Sequence, residues 1–157
     1  RKLRVKLEVD TNPPAGASCE MPVLDYPFPF AVRVFDLPSL FAGKIHALLC
    51  RSYLKGRDWY DFIWYTARSV GINHALLSSA LDQQGPWAGS HPRTDAAWCE
   101  RELSSLVNSV DWRQAREDVR RFLKPRELPS LELWTREFFL AQCMKISAFQ
   151  ERSKQGT

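Results

Sequence analysis

Five prolines, Pro13, Pro14, Pro22, Pro27 and Pro29, fall within residues 11–30. Proline fixes φ and has no N–H to donate, so this stretch can be neither a regular helix nor the centre of a sheet. The chain is divided by it. Any sheet must be short and flank the prolines, and long regular structure must begin after them. Tyr26, Phe28 and Phe30 alternate with Pro27 and Pro29, a pattern that predicts an extended loop laid over a core.

Before the prolines, Leu3, Val5, Leu7 and Val9 alternate with Lys2, Arg4, Lys6, Glu8 and Asp10. Strict alternation predicts a half-buried strand. Its polar face ends in two carboxylates, Glu8 and Asp10, which would be neighbours on one surface. They are either a plain solvated face or an edge offering oxygen ligands to a hard divalent cation such as Mg²⁺. The chain enters this pattern at once, with no signal peptide, and reads as starting in mid-domain. After the prolines, residues 31–35 predict a second short strand.

The remainder has helical periodicity. Asp36 and Pro38 mark a helix start, and that helix is expected to run to Tyr53. Lys55-Gly56 breaks it, and further helices are expected at 58–69, 73–83, 94–108, 111–123 and 130–152. The last of these carries Leu131, Trp134, Phe138, Ala141, Met144 and Ile146 as its core face. The fold class is therefore α+β: residues 1–36 form a partial sheet with its proline-rich loop, and residues 37–157 form a helical domain. At 157 residues one core suffices. The net charge of +4 permits a nucleotide or RNA partner without requiring one. Cys19, Cys50, Cys99 and Cys143 form no C-x-x-C pair, which argues against zinc and for reduced thiols in a cytoplasmic protein. No apolar run approaches the roughly 18 residues that a membrane span needs.

Residues 44–61 are the most informative. The expected helix 37–53 carries an apolar stripe of Leu37, Leu40, Phe41, Ile45, Leu48, Leu49 and Tyr53, and at 100° per residue Lys44 falls within it. A lysine there must snorkel out along its stem or meet an anion. That anion is either a carboxylate of the same chain or a ligand's phosphate. In the next helix Trp59, Phe62, Ile63, Thr66 and Val70 define the buried face, with Asp58 at its border and Asp61 further out. Singly, Asp58 suits a first turn through the helix dipole, and Asp61 suits a salt bridge with Arg57 or Arg68. A stripe lysine, a Lys55-Gly56 turn and the run Arg57-Asp58-Trp59-Tyr60-Asp61 together suggest a site.

Lys44-Ile-His-Ala-Leu48 and Lys55-Gly-Arg-Asp-Trp-Tyr-Asp61 resemble the K-x-x-A-L and K-G-R-D-x-x-D motifs of the AbiEii/AbiGii nucleotidyltransferase toxins, the toxin halves of type IV toxin–antitoxin and phage-abortive systems. Lys6-Leu-Glu-Val-Asp10 resembles that family's acidic strand. The likeness covers residues 1–70 well, and beyond Gly71 only in kind. It implies transfer of a nucleotide from an NTP, with Mg²⁺, to a tRNA, another RNA or a protein hydroxyl. It also implies a cognate antitoxin as partner. By the same resemblance Lys44, with Arg57 and Lys55, would contact the nucleotide. Asp58 and Asp61 would support the chemistry, and Asp10 or Glu8 would hold metal. The family's Gly-Ser turn and Asp-x-Asp strand, which supply the main metal ligands, do not occur here. Gly89-Ser90 lies in a loop between expected helices. The expectation is a C-terminal portion, inactive alone, whose exposed sheet edge would invite a homodimer. Two alternatives remain: a degenerate RNA- or antitoxin-binding helical protein, and a purely structural domain in which Lys44 pairs with Asp58 or Asp61.

Overall fold

The computed structural model describes residues 5–155. Four two-residue strands come first: β1 (Cys19–Glu20), β2 (Val23–Leu24), β3 (Phe30–Ala31) and β4 (Val34–Phe35). They form two antiparallel ladders, with Cys19 opposite Phe35 and Glu20 opposite Val34 in the outer one. In the inner ladder Val23 faces Ala31 and Leu24 faces Phe30. The prolines hold each ladder to two residues. Helices follow: α1 (Leu37–Cys50), α2 (Gly56–Ala67), α3 (His74–Gln83), α4 (Ala96–Val107) and α5 (Trp112–Arg120). A 3₁₀ segment (Pro125–Leu133) and α6 (Arg136–Gln155) complete the chain. The architecture is α+β and mainly helical, as the sequence implies.

Local chemistry explains most of the helix starts. Asp36 accepts from the Ser39 N–H, Asn73 from Leu76, Asp95 from Trp98, and Asp111 from both Arg113 and Gln114. Each satisfies donors that a helix N-terminus leaves open. The N-terminus of α2 is different, because Lys55 places no side-chain acceptor there. Instead Asp118, on α5, accepts from the Gly56 N–H at 2.8 Å.

The core is one connected cluster beneath the helices. Trp59 lies at its centre, with ring centroids 5.1 Å from Trp112, 5.2 Å from Phe139 and 5.8 Å from Phe62. Principal packing pairs are α4 with α6, α1 with α3, and α2 with both α5 and α1. Cys99 and Cys143 are buried, Cys50 is half-buried and Cys19 is exposed, and all four thiols are free. No helix among the described residues is long and apolar enough to cross a membrane.

Several expectations need correction. The strand predicted over residues 1–10 lies partly outside the described residues, and residues 5–10 form no ladder. Val5, Leu7 and Val9 are 72%, 89% and 84% exposed. Alternation suits a strand only when a partner strand accepts its hydrogen bonds, and no described segment pairs with this one. The final helix begins only at Arg136, because the chain is wound as 3₁₀ before Trp134. That re-phases its face: Phe139, Gln142, Cys143 and Ile146 are buried, while Met144 is 62% exposed. The stripe on α1 is also rotated. Ala42, too small to register as a stripe residue, is fully buried, whereas Leu37 and Leu40 are about half exposed. Lys44 therefore lies at the margin of the buried face.

Candidate functional site

That marginal position is what lets Lys44 act as a charge rather than as filling. Its stem lies against α1 and its ammonium reaches across to α2, contacting Asp58 Oδ1 at 3.1 Å and Asp61 Oδ2 at 2.7 Å. Asp58, in the first turn of α2, is only 3% exposed. Its second oxygen is bound by the Arg51 guanidinium, which lies just beyond the end of α1. The same guanidinium carbon lies 5.1 Å from the Tyr53 ring centroid. A buried carboxylate is tolerated because two cations from the neighbouring helix compensate it. Asp61, 43% exposed at its side chain, adds a weaker, solvent-screened pair.

Beside this network lies a cavity of about 360 Å³ walled by Arg51, Ser52, Tyr53, Lys55, Asp58 and Gln114, among others. Arg51 and Lys55 are its cations. Gly56 explains how the helices come so close. A Cβ built on it would meet the Ala115 carbonyl oxygen at 2.3 Å and Val119 Cγ2 at 2.7 Å. The glycine of Lys55-Gly-Arg-Asp58 is thus required by the approach of α5.

The structure brings Lys44, Asp58 and Asp61 together; of these Asp58 lines the cavity, and Lys55 lines it too. Arg57 points elsewhere, its guanidinium carbon 5.2 Å from the Phe122 ring centroid. Glu8 pairs with Lys6 in an exposed contact. Asp10 accepts from the Asn12 N–H at 2.9 Å and lines a different groove, of about 700 Å³, with Leu40, Gly43 and His46. Arg51 was missed by sequence reasoning. A cation at a helix C-terminus is ordinary, and nothing local says that it faces a buried acid seven residues on.

The residues present do not fit Mg²⁺. No group of three or more acidic, histidine or cysteine side chains among the described residues could hold a metal. Both oxygens of Asp58 are also engaged by cations.

Burial by itself would lower the Lys44 pKa, but hydrogen bonds and charge from Asp61 and Asp58 outweigh it and raise it above the ordinary 10.5. The folded state thus holds this proton more tightly than the unfolded chain. Its contribution to stability is fully present below the unfolded pKa and is lost as pH rises through the folded one. Buried Cys99 and Cys143, whose thiols burial pushes up to about 12, also lose stability at high pH. The Lys44 share is isolated by comparison with Lys44→Met. In urea titrations the advantage of the wild type over that variant should be flat through neutral pH and shrink above about pH 10.5. An advantage independent of pH would show that the ammonium is not what these carboxylates hold.

Comparison with known proteins bears on most of the chain. The family model described as nucleotidyl transferase AbiEii toxin, type IV TA system, matches residues 1–142. No curated protein and no solved structure matches significantly.

Proposed function

The chain belongs to the AbiEii nucleotidyl transferase toxin family of type IV toxin–antitoxin systems, and from that premise we propose that its α1–α2 junction is the helical side of a nucleoside triphosphate site. The nucleotide would be passed to an RNA or protein acceptor in the cytoplasm. Membership of a toxin–antitoxin family also implies an antitoxin partner. The observation that carries the reading is Asp58, a carboxylate sealed between Lys44 and Arg51 in the wall of a cavity open to solvent. Nucleotidyl transfer depends on positioning and on compensating phosphate charge more than on covalent chemistry by the protein. A prefixed charge network serves that purpose. Asp58 fixes Arg51, and Arg51 and Lys55 present positive charge to the cavity. Lys44 balances Asp58 from the other side. At about 360 Å³ the cavity is at the small end of the range for ligand sites.

Titration calorimetry of the whole chain with an NTP tests this. Lys55 makes no side-chain cap, so Lys55→Ala should leave the melting temperature unchanged and weaken NTP binding about tenfold, the worth of one charge-assisted contact. Lys44→Met should weaken it similarly. No binding by the wild type, or equal binding by the Lys55→Ala variant, would remove the phosphate site. A second reading is favoured by the fact that the charges of this network compensate one another: it is a structural staple between α1 and α2. That reading expects Lys44→Met to lower stability and leave NTP affinity untouched.

A further inference from the structure

Tyr60, Ile63, Trp64 and Ala67 follow helical i, i+3, i+4, i+7 spacing, so they share one face of α2. Trp59, Phe62 and Thr66 take the other side into the core, whereas Tyr60 and Trp64 are 40% and 37% exposed. The exposed face lines a cleft of about 380 Å³ whose opposite wall is formed by the end of the 3₁₀ segment, Trp134 and Phe138. That wall is anchored, because the Trp134 and Phe138 ring centroids each lie 5.3 Å from that of buried Phe139. Four aromatic rings thus surround one opening. Among the described residues that line it, Arg68 alone is charged. Its guanidinium carbon lies 4.0 Å from the Trp64 ring centroid, and its Nη1 donates to the Trp64 carbonyl oxygen at 3.3 Å. Asp61, the acid expected to neutralise it from within α2, is held instead by Lys44 at 2.7 Å. Arg68 meets no carboxylate among the described residues.

We propose that this cleft binds a small aromatic carboxylate, its rings against Tyr60, Trp64 and Phe138 and its carboxylate on Arg68. A guanidinium is planar and presents five donors in a fixed fork that a carboxylate matches with both oxygens. Here Trp64 holds that fork in place by stacking and through its carbonyl, so little freedom is lost when an anion arrives. The rest of the lining is aromatic or apolar apart from two hydroxyls, those of Tyr60 and Ser130, which suits a flat ring system. A cationic ligand is disfavoured, because Arg68 already lies over Trp64 and would repel it. A triphosphate is disfavoured as well, since one cation cannot compensate its several charges. At about 380 Å³ the cleft is at the small end for ligand sites, which favours one or two rings over an extended chain. The inference is independent of the nucleotide reading, because this cleft shares no lining residue with the cavity at the α1–α2 junction.

The test is titration calorimetry of the full chain with naphthalene-2-carboxylate at neutral pH. Saturable binding with a dissociation constant of about 0.1–1 mM is expected for a ligand of this size. The uncharged isostere naphthalene-2-carboxamide should bind about tenfold more weakly, the worth of one charge-assisted contact. Arg68→Gln should weaken carboxylate binding by the same factor and leave carboxamide binding unchanged, which a merely structural role for Arg68 would not produce. Trp64→Leu should weaken both ligands. Arg93→Gln, a charge lost elsewhere, should match the wild type. Melting curves of each variant separate lost binding from lost folding. Absence of saturable binding by the wild type overturns the proposal. So does equal affinity for carboxylate and carboxamide, unchanged carboxylate binding in the Arg68 variant, or an equal loss in the Arg93 control. Competitive displacement of the probe by ATP in EDTA would make the cleft part of a nucleotide site and overturn it too. A concentration-dependent dimer that the probe dissociates would assign the cleft to a second copy of the chain, with the same consequence.

Discussion

Asp58→Ala is expected to destabilise the fold by about 3 kcal/mol or more, in the range seen when one partner of a buried ion pair is removed. Two cations depend on this carboxylate, Lys44 through one oxygen and Arg51 through the other. Both are about three-quarters buried at their side chains, so neither recovers full hydration when Asp58 is gone. Their partial exposure allows some relaxation toward solvent, which keeps the figure near the lower end of that range. Asp58→Asn retains volume and one acceptor and should cost less. Truncating Asp61, a 43% exposed partner of the same lysine, should cost under about 1 kcal/mol. Urea unfolding of the three variants measures the series. A loss for Asp58→Ala no larger than that for Asp61→Ala would show that the network holds nothing together. NTP titration of Asp58→Asn, if it remains folded, then asks whether the charge that orders Arg51 also orders a ligand.

Gly56→Ala is the second large effect, expected to cost about 3 kcal/mol, at the upper end for overpacking. A methyl group there would stand 2.3 Å from the carbonyl oxygen of Ala115, and that atom is backbone in the middle of α5. No side-chain rotation relieves such a contact. Either α5 withdraws, opening the Trp59–Trp112–Phe139 cluster, or the start of α2 shifts and its bond to Asp118 is lost. In an exposed helix the same substitution would stabilise by up to about 1 kcal/mol through propensity, so the sign of the result is decisive. A Gly56→Ala protein as stable as the wild type would mean that α2 and α5 are not this close. The prediction bears on function as well, because Gly56 positions Lys55 and Asp58 on either side of it.

The sequence was a good guide wherever the cause is local. The starts of α1, α3, α4 and α5 are legible because an aspartate or asparagine precedes each helix and its side chain reaches only three residues. The prolines confine the sheet to pairs of residues by removing donors, a property of each residue alone. The spacing from Lys44 to Asp58 and Asp61 indicated that one cation and two carboxylates would gather at a helix junction, and they do.

What it could not supply was everything set by a partner distant in the chain. Residues 5–10 have the alternation of a strand, yet strand hydrogen bonds are made between segments, and only the tertiary structure shows that none is made here. Lys44 could have met a phosphate or a carboxylate. In the folded chain it meets both carboxylates of α2, and Arg51 joins them as a fourth member. The cap of α2 comes from Asp118, 62 residues away, and the need for glycine at position 56 comes from the backbone of α5. Residue type and period thus determined which segments are helical and which charges lie near α1 and α2. Tertiary packing alone decided which of those charges are neutralised and which face the cavity, because desolvation and Coulomb energy depend on neighbours that only the folded chain brings together.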